Sequence, residues 1–204
     1  MRYSDTHKSE THAKLVRLAG RALREKGPEK LAVAELMRAA GLTHGGFYAH
    51  FKSKDVLLTE ALEGVFKESR RKFQRVTEGL PPREALARYI DFYVSPTHRD
   101  DLSRECPVVA LNSDLPRQSR KFRATFDAGM QSLVRCLKDW TEAAGISDSE
   151  ALAASVLSAM AGAVAVSRTV SDKRLSDELL KSTRESIKAR LGLSDAAPSG
   201  GIVQ

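Results

Sequence analysis

Apolar residues recur along this chain at three- and four-residue intervals, and no segment alternates apolar with polar residues as a half-buried strand does. Leu15, Leu18, Ala19, Ala22 and Leu23 mark one face of a first helix, from about Ser9 to Lys26, which Gly27-Pro28 stops. A short helix from about Val33 to Ala40 ends at Gly41, and Leu42-Thr43 lead into a second short helix running through Phe51. Ser53 stands where the N-cap of a long helix belongs, from Lys54 to about Glu78, which Gly79-Leu80-Pro81-Pro82 breaks. The same periodicity predicts helices from about Arg83 to Val94, Pro107 to Ser113, Arg117 to Ala144, Asp148 to Arg168 and Asp172 to Leu191, with turns at Ser95-Pro96, Gly145 and Ser171-Asp172. The expected fold is therefore all-α, with about nine helices. Residues 1–53 form a three-helix domain, 54–193 a helical domain, and 194–204, carrying Pro198-Ser199-Gly200-Gly201, a flexible tail.

Composition agrees. Ala, Leu, Arg, Lys and Glu are abundant, and 42% hydrophobic residues over 204 positions suffice for a real core. No apolar leader follows the first charges, and the uncharged run Ala151 to Ser167 is mostly Ala and Ser, with too little bulk to favour a bilayer. The two cysteines, Cys106 and Cys136, exclude a disulfide scaffold and point to a reducing cytoplasm. Neither has a second Cys or a His at metal-ligand spacing, so no metal site and no cofactor is expected.

Charge divides the chain. Residues 1–75 hold 16 Lys and Arg against 9 Asp and Glu, while the remainder holds 17 of each. The whole net charge of +7 thus sits in the N-terminal part. A basic module on a neutral body meets a polyanion with one end and does something else with the other.

The segment from Leu36 to Phe51 (LMRAAGLTHGGFYAHF) is the most specific in the chain. Leu36, Ala40, Leu42, Phe47 and Phe51 are spaced to close a small core, Ala40 allows close helix approach, and Gly41 supplies the positive φ of a sharp turn. Thr43 is placed to cap the second helix and leave its first N–H groups outward, where phosphate binds well. Two adjacent glycines, Gly45-Gly46, would each cost about 1 kcal/mol in a helix relative to Ala, a cost that close backbone approach by a partner would explain. This is a helix-turn-helix, whose second element enters the major groove of double-stranded DNA.

Ala40-Gly41-Leu42-Thr43, Gly45, Phe47-Tyr48, His50-Phe51 and Ser53-Lys54 match in order and spacing the motif of the TetR family of bacterial repressors, which the chain resembles over about residues 10–60. Met37 and Phe47 depart from the usual Ala and Leu, and Gly46 stands where the family often carries a base-reading side chain, leaving readout to His44 or to DNA shape. The resemblance implies that Thr43, Tyr48 and His50 contact phosphates or the groove edge, that His44, Gly45 and Gly46 face the bases, and that Lys54 holds a phosphate at a helix N-terminus. Lys8, Lys14 and Arg17 would add backbone contacts, whereas Arg70, Arg71 and Lys72 are read as a solvated face. The resemblance also implies a homodimer on an inverted-repeat operator and a C-terminal domain that senses an effector.

In that domain Ala153, Ala154, Leu157, Ala161, Val164 and Ala165, with Leu175, Leu179, Ile187 and Leu191, form a stripe that serves either a dimer interface or the chain's own core. Phe92, Phe126, Met130 and Trp140, with Phe66, Tyr93 and Met160, are candidate walls for a small apolar effector. Cys106, preceding Pro107, falls at a helix N-cap near Arg104, which would lower its pKa and make it a sensor of electrophiles, against Glu105 and against the plain alternative of an inert thiol. Cys136 is expected in the core. An all-α thiol enzyme built on Cys106 lacks any sequence-adjacent base, and a non-specific DNA-binding protein would not discriminate operator from scrambled duplex.

Overall fold

The computed structural model describes residues 2–146 and 149–193; the expected tail over 194–204 lies outside them. Nine α-helices and three 3₁₀ segments make up the described structure, with no strand among the described residues. The helices are α1 (Arg2–Lys26), α2 (Val33–Ala40), α3 (Lys54–Thr77), α4 (Pro82–Tyr93), α5 (Pro96–Asp100), α6 (Pro107–Leu111), α7 (Arg120–Ala143), α8 (Ser149–Thr169) and α9 (Lys173–Arg190). The 3₁₀ segments are His44–Ala49, Leu102–Arg104 and Leu115–Arg117.

The N-terminal unit closes over Leu15, Leu23, Leu36, Met37, Phe47 and Phe51, all buried. Gly41 takes φ 79° after α2, and its N–H and that of Leu42 return to the carbonyls of Arg38 and Met37. The sharp turn expected there needs this left-handed residue. Ser53 caps α3, its Oγ accepting from Val56 N at 3.2 Å. α3 then packs against α1 on one side and α4 and α7 on the other, so the same helix belongs to the N-terminal unit and to the body. Against α7 the fit is tight: a Cβ on Gly129 would fall 2.3 Å from the Phe66 ring.

Three expectations change. The second helix of the motif is a six-residue 3₁₀ helix, and Thr43 makes no side-chain cap bond; its carbonyl, not its hydroxyl, meets Gly46 N at 3.1 Å. Two glycines in one short turn leave too little helix propensity for a regular α-turn. The span read as one helix from Arg117 divides at Gln118-Ser119, with Ser119 Oγ capping α7 at 3.2 Å from Phe122 N. And Ser95-Pro96 is not only a turn: Ser95 Oγ accepts from His98 N and Pro96 starts α5, a helix too short to show periodicity. Through α5, Arg99 is buried against Ser176 and Asp177 of α9, and its carbonyl accepts from Arg168 of α8.

The stripe expected on α8 and α9 splits in two. Ala153, Leu157, Ala161 and Val164 face the chain's own core with Ile187 and Leu191, as the intramolecular alternative requires. The outward face of α8 carries instead the small residues Ala154, Ser158 and Gly162 and then Val166, beside exposed Leu175 on α9. Ala151–Thr169 is long and apolar enough by composition to cross a membrane, at mean hydropathy 1.5, which the sequence reading discounted. In this fold its inward face packs on α7, α9, α5 and α6.

Candidate nucleic-acid interface and sensor chamber

The 3₁₀ segment carries the motif's outward residues. Its inward side is Phe47, stacked on Phe51 with ring centroids 5.6 Å apart. Its outward side is Thr43, His44, Gly45 and Tyr48, the last 72% exposed although it is a large aromatic. Neither Gly45 nor Gly46 has a positive φ, nothing lies within 4 Å of a Cβ built on Gly45, and one on Gly46 would meet Met37 Cε at 3.5 Å and Thr43 Oγ1 at 3.9 Å, both ordinary contacts. Met37, at the position where the family's usual residue is Ala, thus reaches under Gly46. Nothing inside the chain requires either residue to be glycine.

The remaining predicted contacts are partly turned inward. His50 is half-buried, its Nδ1 lacks a partner, and burial together with nearby His12 and Lys8 pushes its pKa down. His12 stacks on Phe51 at 4.4 Å and bonds Glu60 at 2.6 Å, tying α1 to α3. Lys54 Nζ donates to Glu29 O at 3.4 Å, and Lys14 Nζ donates to Ala40 O at 3.0 Å, closing the C-terminal end of α2.

Behind this surface a chamber of about 380 Å³ opens between the end of α1, α3, α4 and the Leu102–Arg104 segment. Its rim and floor are basic: Arg24, Lys72, Arg75 and Arg104, with Glu68. A narrow inner pocket of about 20 Å³, room for about one water, adjoins it through the shared Lys72, Phe92 and Arg104 and ends at Tyr93, His98 and Cys106.

Cys106 is the N-cap residue of α6, as expected, but it is 5% exposed, and burial pushes the thiol up despite the opposing pull of Tyr93 and of the Val108 and Val109 N–H groups. Arg104 does not stabilise a thiolate. Its side chain is largely exposed, 3.9 Å from Asp101. Glu105 is buried against Arg168, where burial also raises its pKa. Sequence proximity to a guanidinium and a helix end therefore gave the wrong direction, because desolvation outweighs both.

Of the expected effector residues, Phe92 lines the chamber and Cys106 only the narrow inner pocket. Phe126 packs edge-on against Phe66 at 5.4 Å, Trp140 against Phe73 at 5.3 Å, and Met130 lies against the core. Cys136 is partly buried there too. Lys72, read as solvated, is instead half-buried with its Nζ 4.6 Å over the Phe92 ring. Arg24 and Lys72 line the chamber and His98 its inner pocket, and nothing in their sequence neighbourhoods signals that a cavity will enclose them. His98 is held neutral by burial at a pKa of about 4, its Nδ1 against Tyr93 O at 2.7 Å.

Two sets of contacts tie the N-terminal unit to the body. Arg24 of α1 donates to Ser103 O at 2.9 Å and to Glu68 at 2.5 Å. At the base of the motif, Ser119 Oγ bonds Asp55 at 2.7 Å and Arg117 bonds Glu29 at 3.0 Å.

Residues 15–61 match the family model of bacterial regulatory proteins of the tetR family, and residues 82–179 match that of the transcriptional regulator LmrA/YxaF-like C-terminal domain. The chain belongs to the TetR family. Both matched models are those of transcriptional regulators. Bacillus subtilis YerO, described as an uncharacterized HTH-type transcriptional regulator, is 32% identical over 85 residues, which span 40% of this chain and 29% of that protein. A TetR regulator from Chloroflexus aurantiacus superposes with TM-score 0.78 at 19% identity, covering 94% of this chain and 97% of that one. Escherichia coli NemR in its reduced form superposes with TM-score 0.77 at 17% identity, covering 88% and 97%.

Proposed function

We propose that this TetR-family chain is a cytoplasmic homodimer that represses its target by binding an inverted-repeat operator and releases it when a signal reaches the chamber behind the motif. The observation that carries the DNA contact is Gly45-Gly46, two glycines for which the chain has no conformational or packing use. A DNA backbone or base edge approaching closer than a Cβ permits supplies the missing reason. Thr43, His44 and Tyr48 flank that point of approach, and His50 and Lys54 border it. Residues 1–53 serve as the DNA-binding domain and 54–193 as the regulatory and dimerising one. The small-residue face of α8, with Val166 and Leu175, is suited to a two-fold contact that presents two motifs about one DNA turn apart.

An occupant of the chamber would act through Arg24 and α3, which both units share. Covalent modification of Cys106 is a second route, favoured by the thiol's position in one pocket with the neutral imidazole of His98. Burial and a raised pKa make that route slow until the pocket opens. Fluorescence anisotropy on duplex DNA from upstream of the chain's own gene tests both. Specific binding that competes poorly with scrambled duplex supports the repressor, and equal binding to both duplexes refutes it. Release by a mild thiol electrophile in the native chain but not in Cys106→Ser assigns the signal to the thiol; release in neither leaves the chamber's ligand as the signal.

A further inference from the structure

Lys72 and Arg24 are cations enclosed more than their surroundings neutralise. Lys72 is half-buried over Phe92, its Nζ bonded only to the Arg104 carbonyl at 3.3 Å. Neither it nor Arg75 has an ion-pair partner among the described residues. Burial, the largest cause, pushes the Lys72 pKa down, with Arg104 and Arg24 acting the same way against the opposing pull of Asp101 and Glu68. Arg24 is 8% exposed, and its Nε is a buried donor with no partner. The chamber's single carboxylate, Glu68, already serves the other end of that guanidinium. With Arg24 matched by Glu68 and Arg104 by Asp101, Lys72 and Arg75 leave the cavity with unmet positive charge beside the unmet buried Nε donor of Arg24.

The far end is different in kind. Past Phe92 the cavity narrows to room for about one water, mostly among the rings of Tyr89, Tyr93 and uncharged His98 with Leu133, where Cys106 also lines it. Charge at the mouth and a constricted, mostly aromatic end favour a ligand with its anion outward and a slim apolar end toward the rings.

We infer that the effector is a small organic carboxylate, its anion held by Lys72, Arg75 and Arg24 and its apolar end directed between Phe92 and Tyr93. This rests on the regulator reading above and names its ligand class. It also gives the signal a path. Arg24 is part of α1 and clasps it to Ser103 and to Glu68 of α3. A carboxylate competing for Arg24 loosens that clasp, and α1 packs directly on the recognition unit.

The test uses a panel of straight-chain and aryl carboxylates, each beside its own uncharged amide. Operator binding by ligand-free protein is measured first. Then each compound is scored by thermal shift and by release of the operator. The expected result is that at least one carboxylate raises the melting temperature and releases DNA while its amide does neither. Lys72→Met should weaken that carboxylate by about tenfold or more, the loss of one charge-assisted bond. The exposed change Arg75→Gln should weaken it less, which keeps the test decisive if Lys72→Met melts early. Amides that act as well as acids, or affinities unchanged in both variants, overturn the inference. Intact operator binding with no response to any carboxylate also overturns it, yet leaves the repressor standing. A carboxylate-selective thermal shift without any operator binding supports the anion site and sinks the repressor.

Discussion

Replacing Gly45 and Gly46 together by Ala separates what the fold needs from what DNA needs. Both residues sit in the His44–Ala49 3₁₀ helix at negative or extended φ, so Ala adopts their backbone without strain. A methyl on Gly45 meets nothing within 4 Å, and one on Gly46 rests on Met37 Cε at 3.5 Å, an ordinary contact. Each change therefore stabilises the chain by about 0.4–1 kcal/mol, mostly by stiffening the unfolded state. For the pair, a chain of this size should melt higher by roughly 2–8 °C. On the operator the sign reverses. Two methyls wedged into a close-packed contact cost about 1–3 kcal/mol, or roughly fivefold to more than a hundredfold in affinity. Thermal melting and operator anisotropy on the same preparation read both quantities. A variant that melts lower shows that the glycines serve the fold after all. One that melts higher and binds unchanged shows that they serve no DNA contact, and the placement of the recognition surface fails.

Other consequences are checked as directly. Tyr48→Ala removes a side chain with little internal packing, so stability should move by no more than about 0.5 kcal/mol while operator affinity falls; a large stability loss would contradict its exposure. His98 has its pKa lowered from 6.5 to about 4 by burial, so the neutral form stabilises the fold fully above the unfolded value, and that contribution disappears as pH falls from there through the folded value. At roughly 1.4 kcal/mol per unit this amounts to about 3 kcal/mol, and His98→Gln should flatten that part of the stability–pH curve measured by denaturant titration. Gly129→Ala places a methyl into the Phe66 ring and should cost about 1–3 kcal/mol in chemical denaturation; an unchanged midpoint would mean that α3 and α7 shift apart freely. A thiol-specific chromophore should label partly buried Cys136 before buried Cys106 in the native chain, and both together once unfolded; prior labelling of Cys106 would show that its pocket opens easily.

The local signals in the chain settled whatever depends on neighbours a few residues apart. Periodicity of three and four placed the long helices, Gly41 and Ser53 fixed the turn and the cap, and Phe47 and Phe51 gave the small core of the motif. Gly45-Gly46 marked the proposed contact surface because a costly residue type is visible without coordinates. Where the chain's own packing competes with a local preference, tertiary structure decided. Cys106 has the helix end that favours a thiolate, but long-range burial sets its pKa in the other direction. The apolar stripe of α8 is wider than one partner needs, and only the positions of α7 and α9 divide it into core and outward face. Arg24 and Lys72 look like ordinary surface cations on α1 and α3, 48 residues apart. They become a site because those helices cross beside Leu102–Arg104, and enclosure turns solvated charge into charge that requires a partner.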